Sequence, residues 1–119
     1  MANPYNAPEI SVQEAAQKLK SGEDVILMDV REPHELLRAK LPDEWVTSVP
    51  LSRLARELLD GLPENVRQKD AKIIVMCHTG VRSAQVTAWL RQQGWTDVWS
   101  LAGGIDAWAR HIDPKVGFY

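Results

Sequence analysis

The sequence predicts an α/β fold with a mainly parallel sheet, because short apolar segments alternate along the chain with segments of helical periodicity. Residues 25–28 and 72–76 are apolar almost throughout and have the length of strands, as expected of strands covered on both faces. Before and between them, apolar residues recur at the spacing of one helix face. Strands that alternate with helices form βαβ units with right-handed crossovers, which makes the sheet mainly parallel.

The first helix and the first buried strand are predicted near the start of the chain. Ser11 with Glu14 three residues later forms a capping box, and apolar residues then occupy one helix face as far as Leu19. Residues 25–28 follow as a continuous apolar run that ends at Asp29. This arrangement places Asp29 at the carboxyl end of a buried strand.

The middle of the chain predicts two further helical segments around a weaker strand. Pro33 favours the first turn of a short helix over residues 33–37. Residues 45–49 are rich enough in β-branched side chains for a strand, which the following proline closes. Residues 51–59 carry a leucine stripe with helical spacing, which ends at Gly61.

The last third of the chain predicts one more helix, a strand and a short helix. The helix begins at Ser83 and ends at Gly94, and residues 97–101 form the strand. Gly103 and Gly104 then precede a short helix that runs through Trp108. This glycine pair is too isolated for a dinucleotide-binding motif, but its loop could border a site at the edge of the sheet.

The five tryptophans are numerous for a chain of this length. Trp89, Trp99 and Trp108 fall on apolar faces and are expected in the core, whereas Trp45 and Trp95 lie beside turns and are expected to be partly exposed. None of them implies a cofactor.

The length and charge of the chain limit its organisation and its partners. A chain of 119 residues with 45% hydrophobic and 25% charged residues has the composition of one ordinary globular domain. Its net charge of −2 gives no long-range attraction to nucleic acid or to anionic membranes. One cysteine cannot form an internal disulfide, and the first residues lack the pattern of a signal peptide. These features, with no run long enough to span a membrane, predict a cytoplasmic location.

The single cysteine, Cys77, lies in a loop between the strand at residues 72–76 and the helix that begins at Ser83. A short loop around a sulfur atom points successive backbone N–H groups inward, and the amino terminus of the following helix adds positive potential. Negative charge is therefore favoured at the centre of the loop. The alternative, an inert core thiol, is the commoner fate of a lone cysteine. The position of Cys77 at the carboxyl edge of the sheet, where ligands bind in such folds, favours a reactive one.

Arg82 closes this loop, and three kinds of anion fit a ring of donors of this kind: a cysteine thiolate, a cysteine persulfide, or an oxyanion delivered to the cysteine. Four residues separate Cys77 from Arg82, one fewer than in the cysteine phosphatase signature. The tighter loop suits a single sulfur atom. Gly80 within it allows a positive φ or a close approach to the sulfur.

Several nearby side chains are candidates for supporting roles. Asp29 and Arg31 lie at the end of a strand on the same edge, and Arg31 is expected to be structural. Arg82 could pair with a strand-end acid and still project its charge. His78 is expected to act as a partly exposed cation or hydrogen-bond donor rather than as the base for the thiol. One cysteine and three scattered histidines predict no metal site.

Three separated motifs resemble those of the rhodanese family of single-domain sulfurtransferases. They are the loop at residues 77–83, Asp29-Val30-Arg31 followed by Glu35, and the segment Leu101-Ala102-Gly103-Gly104-Ile105-Asp106-Ala107-Trp108. The resemblance covers residues 9 to about 113. The chain departs from the family pattern at residues 39–44, where a Gly-His-Ile-Pro-Gly-Ala turn is usual. Its last residues also resemble the tail of rhodanese modules attached to adenylyltransferases.

The resemblance implies a three-layer α/β/α fold with a central, mainly parallel five-stranded sheet, in a single rhodanese-like domain over residues 1–119. It implies that the chain moves a sulfane sulfur from thiosulfate or a persulfide donor to cyanide, a thiol or a sulfur-carrier protein, without a cofactor. The implied catalytic residue is Cys77, and a bound sulfur anion would be held by His78, Thr79, Gly80, Val81 and Arg82. Asp29, Arg31 and Ser83 would support this pocket.

Two other functions remain open at this stage. One is a cysteine-dependent phosphatase or arsenate reductase, which the one-residue-shorter loop disfavours. The other is a non-catalytic interaction module, which would have less reason to keep Cys77 together with Arg82.

Overall fold

The structure, a computed structural model, describes residues 3–119. Within these residues the strands are β1 (Glu9–Ile10), β2 (Ile26–Asp29), β3 (Val46–Ser48), β4 (Ile73–Met76) and β5 (Val98–Leu101). The helices are α1 (Val12–Lys20), α2 (Pro33–Leu36), α3 (Leu51–Glu57), α4 (Val81–Gln92) and α5 (Gly104–His111). Short 3-10 turns lie at Asp43–Trp45, Leu58–Gly61, Glu64–Val66 and Pro114–Val116.

The five strands form one parallel sheet in the order β1-β5-β4-β2-β3. This confirms the predicted α/β fold and the five-stranded sheet. Strand β4 lies at the centre, between β2 and β5. Because all strands run in the same direction, the carboxyl ends of β2, β4 and β5 lie side by side at one edge of the sheet.

Helices cover both faces of the sheet, and this explains why the central strands have no polar face. Along β4, Ile74 and Met76 pack into one core with residues of α1 and α5. Ile73 and Val75 pack into a second core with residues of α3 and α4. Because successive side chains of a strand point to opposite faces, both sets must be apolar. The three layers are those that were predicted.

Strand β1 was not recognised in the sequence. It consists of two residues, Glu9 and Ile10, which pair with Ser100 and Leu101 of β5. So short a segment carries no periodicity. The predicted strand at residues 45–49 is confirmed as Val46–Ser48, preceded by the 3-10 turn at Asp43–Trp45 where the chain departs from the family pattern.

Two of the expectations about the tryptophans were wrong. Trp95 is 5% exposed and donates its Nε1–H to the Val66 carbonyl at 2.9 Å, so it belongs to the core. Trp99 is 38% exposed. It lies near the amino end of β5, beside a cavity of about 400 Å³ that Glu9 and Glu14 also line. The burial of a tryptophan could not be predicted from its neighbours in the sequence, because it depends on where the helices that cover the sheet end.

No helix within residues 3–119 combines the length and the apolar character that crossing a membrane requires.

Candidate active site

The candidate site lies at the carboxyl edge of the sheet, where Cys77 follows the last residue of β4. Asp29, the last residue of β2, is in register with Met76, so Asp29 and Cys77 end neighbouring strands. The chain then turns through Gly80, which has a φ of +103° and immediately precedes α4. The structure thus brings the cysteine, the strand-end acid and a helix amino terminus together at one edge.

The Cys77 sulfur takes the place of a capping side chain for α4. Gly80 occupies the cap position but has no side chain to accept the free N–H groups of the first turn. Instead, Sγ of Cys77 accepts the backbone N–H of Gly80 at 3.1 Å and that of Ser83 at 3.3 Å. The sulfur therefore lies against the positive end of the helix, where negative charge is stabilised.

Four other backbone N–H groups of the loop have no protein acceptor. In the described part of the chain, the amides of His78, Thr79, Val81 and Arg82 make no hydrogen bond to a protein atom. Of the five residues expected to bind the sulfur anion, only Gly80 donates its amide to Sγ in this structure. The second amide comes from Ser83, which was expected only to support the pocket. The four unpaired donors remain available to a ligand at this loop.

The Arg82 guanidinium is directed at Glu35 rather than at the sulfur. Its Nη1 and Nη2 donate to Oε2 and Oε1 of Glu35 at 2.7 and 2.8 Å, so the pair is bidentate. The hydrogen bond with Glu35 raises the pKa of Arg82, and the hydrogen bond from Arg82 lowers the pKa of Glu35 to about 2. A strand-end acid was the partner considered for Arg82, but Glu35 lies in α2. Arg82 consequently ties the start of α4 to α2, and its role toward a bound sulfur anion stays a prediction.

Acid should destabilise the protein partly through Glu35, whose pKa is lowered from 4.5 to about 2. A carboxyl with a lower pKa in the folded than in the unfolded chain adds stability above its unfolded pKa, and this is lost as the pH falls through the folded value. We therefore expect Glu35→Gln to lower the free energy of unfolding at neutral pH. The deficit should shrink between pH 4.5 and about 2. Urea unfolding over a series of pH values measures it.

The control for this experiment is Glu57→Gln. Glu57 forms exposed ion pairs with Arg53 at 3.9 Å and with Arg56 at 3.6 Å, so its loss should change the free energy of unfolding little at any pH. A Glu35→Gln deficit that stays constant down to the lowest pH would contradict the ionic origin of its effect.

A second ion pair, between Arg31 and Asp29, is almost completely buried. Their side chains are 0% and 1% exposed, and Nη2 of Arg31 lies 2.8 Å from Oδ2 of Asp29. Nη1 of Arg31 also donates to the hydroxyl of Tyr119 at 3.1 Å, and this hydroxyl donates to Oε1 of Glu35 at 3.0 Å. Tyr119 therefore joins the Asp29–Arg31 pair to the Glu35–Arg82 pair. The structural role of Arg31 stays a prediction.

The His78 imidazole stacks on the ring of Tyr119. The ring centroids lie 3.8 Å apart and the planes are inclined by 10°. Burial raises the pKa of the Tyr119 phenol, which keeps it protonated as the donor to Glu35. Tyr119 has no role that the sequence predicts, because its only signal there is a resemblance to the tail of related modules. In the structure it covers one side of the cysteine loop.

The amino terminus of α5 holds the loop from the other side. The amides of Ile105 and Asp106 donate to the carbonyls of Cys77 and His78 at 2.9 and 3.0 Å. Gly104 precedes these amides with a φ of +62°, and a Cβ there would lie 2.5 Å from the Cys77 carbonyl oxygen. Gly104 therefore allows α5 to approach the backbone of the cysteine loop.

The thiol is shielded in the resting structure, since Cys77 is 1% exposed. The cavity of about 400 Å³ beside Trp99 lies at the opposite edge of the sheet, where Lys72 and Asp97 immediately precede β4 and β5. Within residues 3–119, no three His, Cys, Asp or Glu side chains cluster in the way that a metal ion requires.

The chain is similar to known proteins of one family. Residues 11–111 match the family of rhodanese-like domains. The chain is 37% identical over 108 residues to a sulfurtransferase of Allochromatium vinosum, and the alignment covers 91% of this chain and 94% of that protein. It is 33% identical over 111 residues to the probable adenylyltransferase/sulfurtransferase MoeZ of Mycobacterium tuberculosis, with 92% of this chain but only 26% of that longer protein covered. Among solved structures, the human single domain sulfurtransferase TSTD1 superimposes with a TM-score of 0.72 at 25% identity, over 88% of this chain and 97% of that chain.

Proposed function

Because the chain belongs to the rhodanese-like sulfurtransferase family, as its three motifs predicted, we propose that it transfers a sulfane sulfur through a persulfide on Cys77. The donor is thiosulfate or a persulfide, and the acceptor is a thiol or a sulfur-carrier protein. This assigns Cys77 the role of nucleophile and the loop at residues 78–82 the role of anion binder.

One observation carries the proposal: the sulfur of Cys77 accepts two backbone amides at the positive end of α4, inside a loop with four more unpaired amides. Hydrogen bonds from N–H groups to an anion are stronger than those between neutral groups. The amides that contact Sγ favour the attacking thiolate. The unpaired amides can hold the charge of a terminal sulfur added to it, which is the principle of an oxyanion hole applied to sulfur.

Two displacement steps account for the transfer. The Cys77 thiolate attacks the outer sulfur of thiosulfate, a sulfur–sulfur bond forms, and the bond to the sulfonate sulfur breaks with release of sulfite. The enzyme is left as the Cys77 persulfide anion. An acceptor thiolate then attacks the terminal sulfur, forms its own persulfide and releases the Cys77 thiolate. The charge and the sulfur atoms balance in both steps, so neither step needs a metal or a redox cofactor.

The donor and acceptor classes follow from the loop and from the relatives. The backbone N–H groups of the loop favour sulfur donors that are anions. A net charge of −2 gives no long-range attraction to nucleic acid or to membrane surfaces. One relative is named a probable adenylyltransferase/sulfurtransferase. This similarity supports a protein as the sulfur acceptor, namely one that an adenylyltransferase would activate. A single free cysteine works best in a reducing compartment, and we place the protein in the cytoplasm.

Mass spectrometry of the intact protein after incubation with thiosulfate tests the proposal. We expect a gain of one sulfur atom that cyanide removes, together with formation of thiocyanate. Cys77→Ser is the matched control and should gain nothing. An unchanged mass with thiosulfate and with several persulfide donors would overturn the transferase, and hydrolysis of an aryl phosphate by the same protein would favour the phosphatase alternative.

A further inference from the structure

A pair of buried hydroxyl groups lies beneath the cysteine sulfur. Oγ of Ser83 lies 3.4 Å from Sγ of Cys77, and Oγ of Ser100 lies 2.8 Å from Oγ of Ser83. Both serines are 0% exposed. Ser83 belongs to the first turn of α4, whereas Ser100 comes from β5, so the sheet and the helix each supply one member.

The two hydroxyls have no other use in the fold. Within residues 3–119, the Ser100 hydroxyl has no hydrogen-bond partner except Ser83, and Ser83 has none except Cys77 and Ser100. Buried polar side chains in a strand are costly unless they are paired. The hydrogen-bonded series therefore runs from the Cys77 sulfur through Ser83 to Ser100, and it ends there inside the protein without a further acceptor.

The number of protons on Cys77, Ser83 and Ser100 determines which protonation state of Cys77 satisfies all three groups. There are two contacts, and the two hydroxyls supply two protons. With a thiolate, Ser100 donates to Ser83 and Ser83 donates to the sulfur, so every donor is used. With a neutral thiol there are three protons for two contacts, and one buried donor stays unpaired, which is unfavourable.

We propose that Ser83 is a catalytic hydroxyl that donates to the Cys77 thiolate, and that Ser100 is a positioning residue that directs and polarises the Ser83 hydroxyl. Ser100 occupies one lone pair of Ser83 and turns the Ser83 proton toward the sulfur. Without Ser100, the Ser83 hydroxyl can instead bond to a carbonyl of the preceding turn, as serines in helices do. The inference rests on the proposed function, because the proposed reaction requires Cys77 to be a thiolate.

The test measures the rate of Cys77 alkylation by iodoacetamide against pH, since the thiolate is the form that reacts. Loss of a hydrogen bond to a charged group should move the rate profile of Ser83→Ala to higher pH by about one unit, so the rate falls about ten-fold at pH values well below the midpoint. Ser100→Ala should shift the profile in the same direction, with about a three-fold loss of rate, because it removes only the polarisation of Ser83.

Thr87→Val is the matched control. Thr87 is a fully buried residue on the same helix, and its hydroxyl has no hydrogen-bond partner, so its loss should leave the pH profile unchanged. Profiles of Ser83→Ala and Ser100→Ala that coincide with that of the parent protein, or rates that fall without a shift along the pH axis, would overturn the proposal. If the shifts occur but thiosulfate loads no sulfur, the hydroxyl pair stands and the sulfurtransferase proposal fails.

Discussion

Gly104→Ala should strongly slow sulfur loading of Cys77, although it adds only one methyl group outside the cysteine loop. The methyl group would lie 2.5 Å from the Cys77 carbonyl oxygen and would also meet the His78 carbonyl oxygen. Both carbonyls are backbone atoms that accept amides of α5, so neither can move without separating α5 from the loop. The left-handed φ of +62° adds strain for any residue with a Cβ.

We expect the rate of sulfur loading of Gly104→Ala to fall more than about 100-fold, because an ångström of displacement in an active site costs about that much. The free energy of unfolding should fall by more than about 2 kcal/mol. Intact-protein mass spectrometry and urea unfolding measure the two effects.

Gly22→Ala separates the steric effect from the conformational one. Gly22 has a φ of +77°, but a Cβ there would meet no atom within 4 Å. Its replacement should cost only about 1 kcal/mol of stability and leave sulfur loading unchanged. If Gly104→Ala loaded sulfur as fast as Gly22→Ala, close support of the loop by α5 would not matter for the reaction.

The position of Cys77 could be predicted from the sequence because it depends on local patterns. An apolar run, a lone cysteine, a glycine and a helical stripe follow one another within a short segment, and each constrains the next. The same holds for α1, whose cap Ser11 accepts the Glu14 amide as the sequence indicated. Local order of this kind needs no knowledge of the rest of the fold.

The partners of the charged side chains could not be predicted in the same way. A strand-end acid was one possible partner for Arg82, and Asp29 is such an acid, but Arg31 lies two residues from Asp29 and pairs with it. Arg82 then pairs with Glu35, 47 residues away in the chain. Periodicity gives the face on which a side chain lies but not which of several acids it meets.

Ser100 was missed for a related reason. It is a polar residue inside an otherwise apolar strand, and this signal was present in the sequence. Its meaning depends on Ser83, which approaches it only when α4 packs on β5. Tyr119 likewise meets His78, Arg31 and Glu35 only after the chain end has folded back over the site.

The buried Arg31–Asp29 pair should be the most sensitive electrostatic feature of the fold. Arg31→Met removes three side-chain contacts to Asp29 from two donor groups: Nε lies 3.1 Å from Oδ1 and 3.2 Å from Oδ2, and Nη2 lies 2.8 Å from Oδ2. It leaves a carboxylate that is 1% exposed without its counter-ion. The remaining bond, from the Arg31 backbone N–H at 3.0 Å, cannot replace the lost charge. Breaking one side of such a pair costs about 3–5 kcal/mol, and urea unfolding of Arg31→Met should show a loss of this size.

Arg110→Met tests whether this loss comes from burial rather than from the ion pair as such. Arg110 and Asp106 lie at 2.9 Å, nearly the distance in the buried pair, but their side chains are 61% and 26% exposed. Their separation should cost less than about 1 kcal/mol, because water solvates both charges when they part. The double variant Asp29→Asn with Arg31→Met should regain part of the stability lost in Arg31→Met, since no unpaired charge remains in the interior. Equal losses in Arg31→Met and Arg110→Met, or no recovery in the double variant, would show that the buried charge of Asp29 is not the cause.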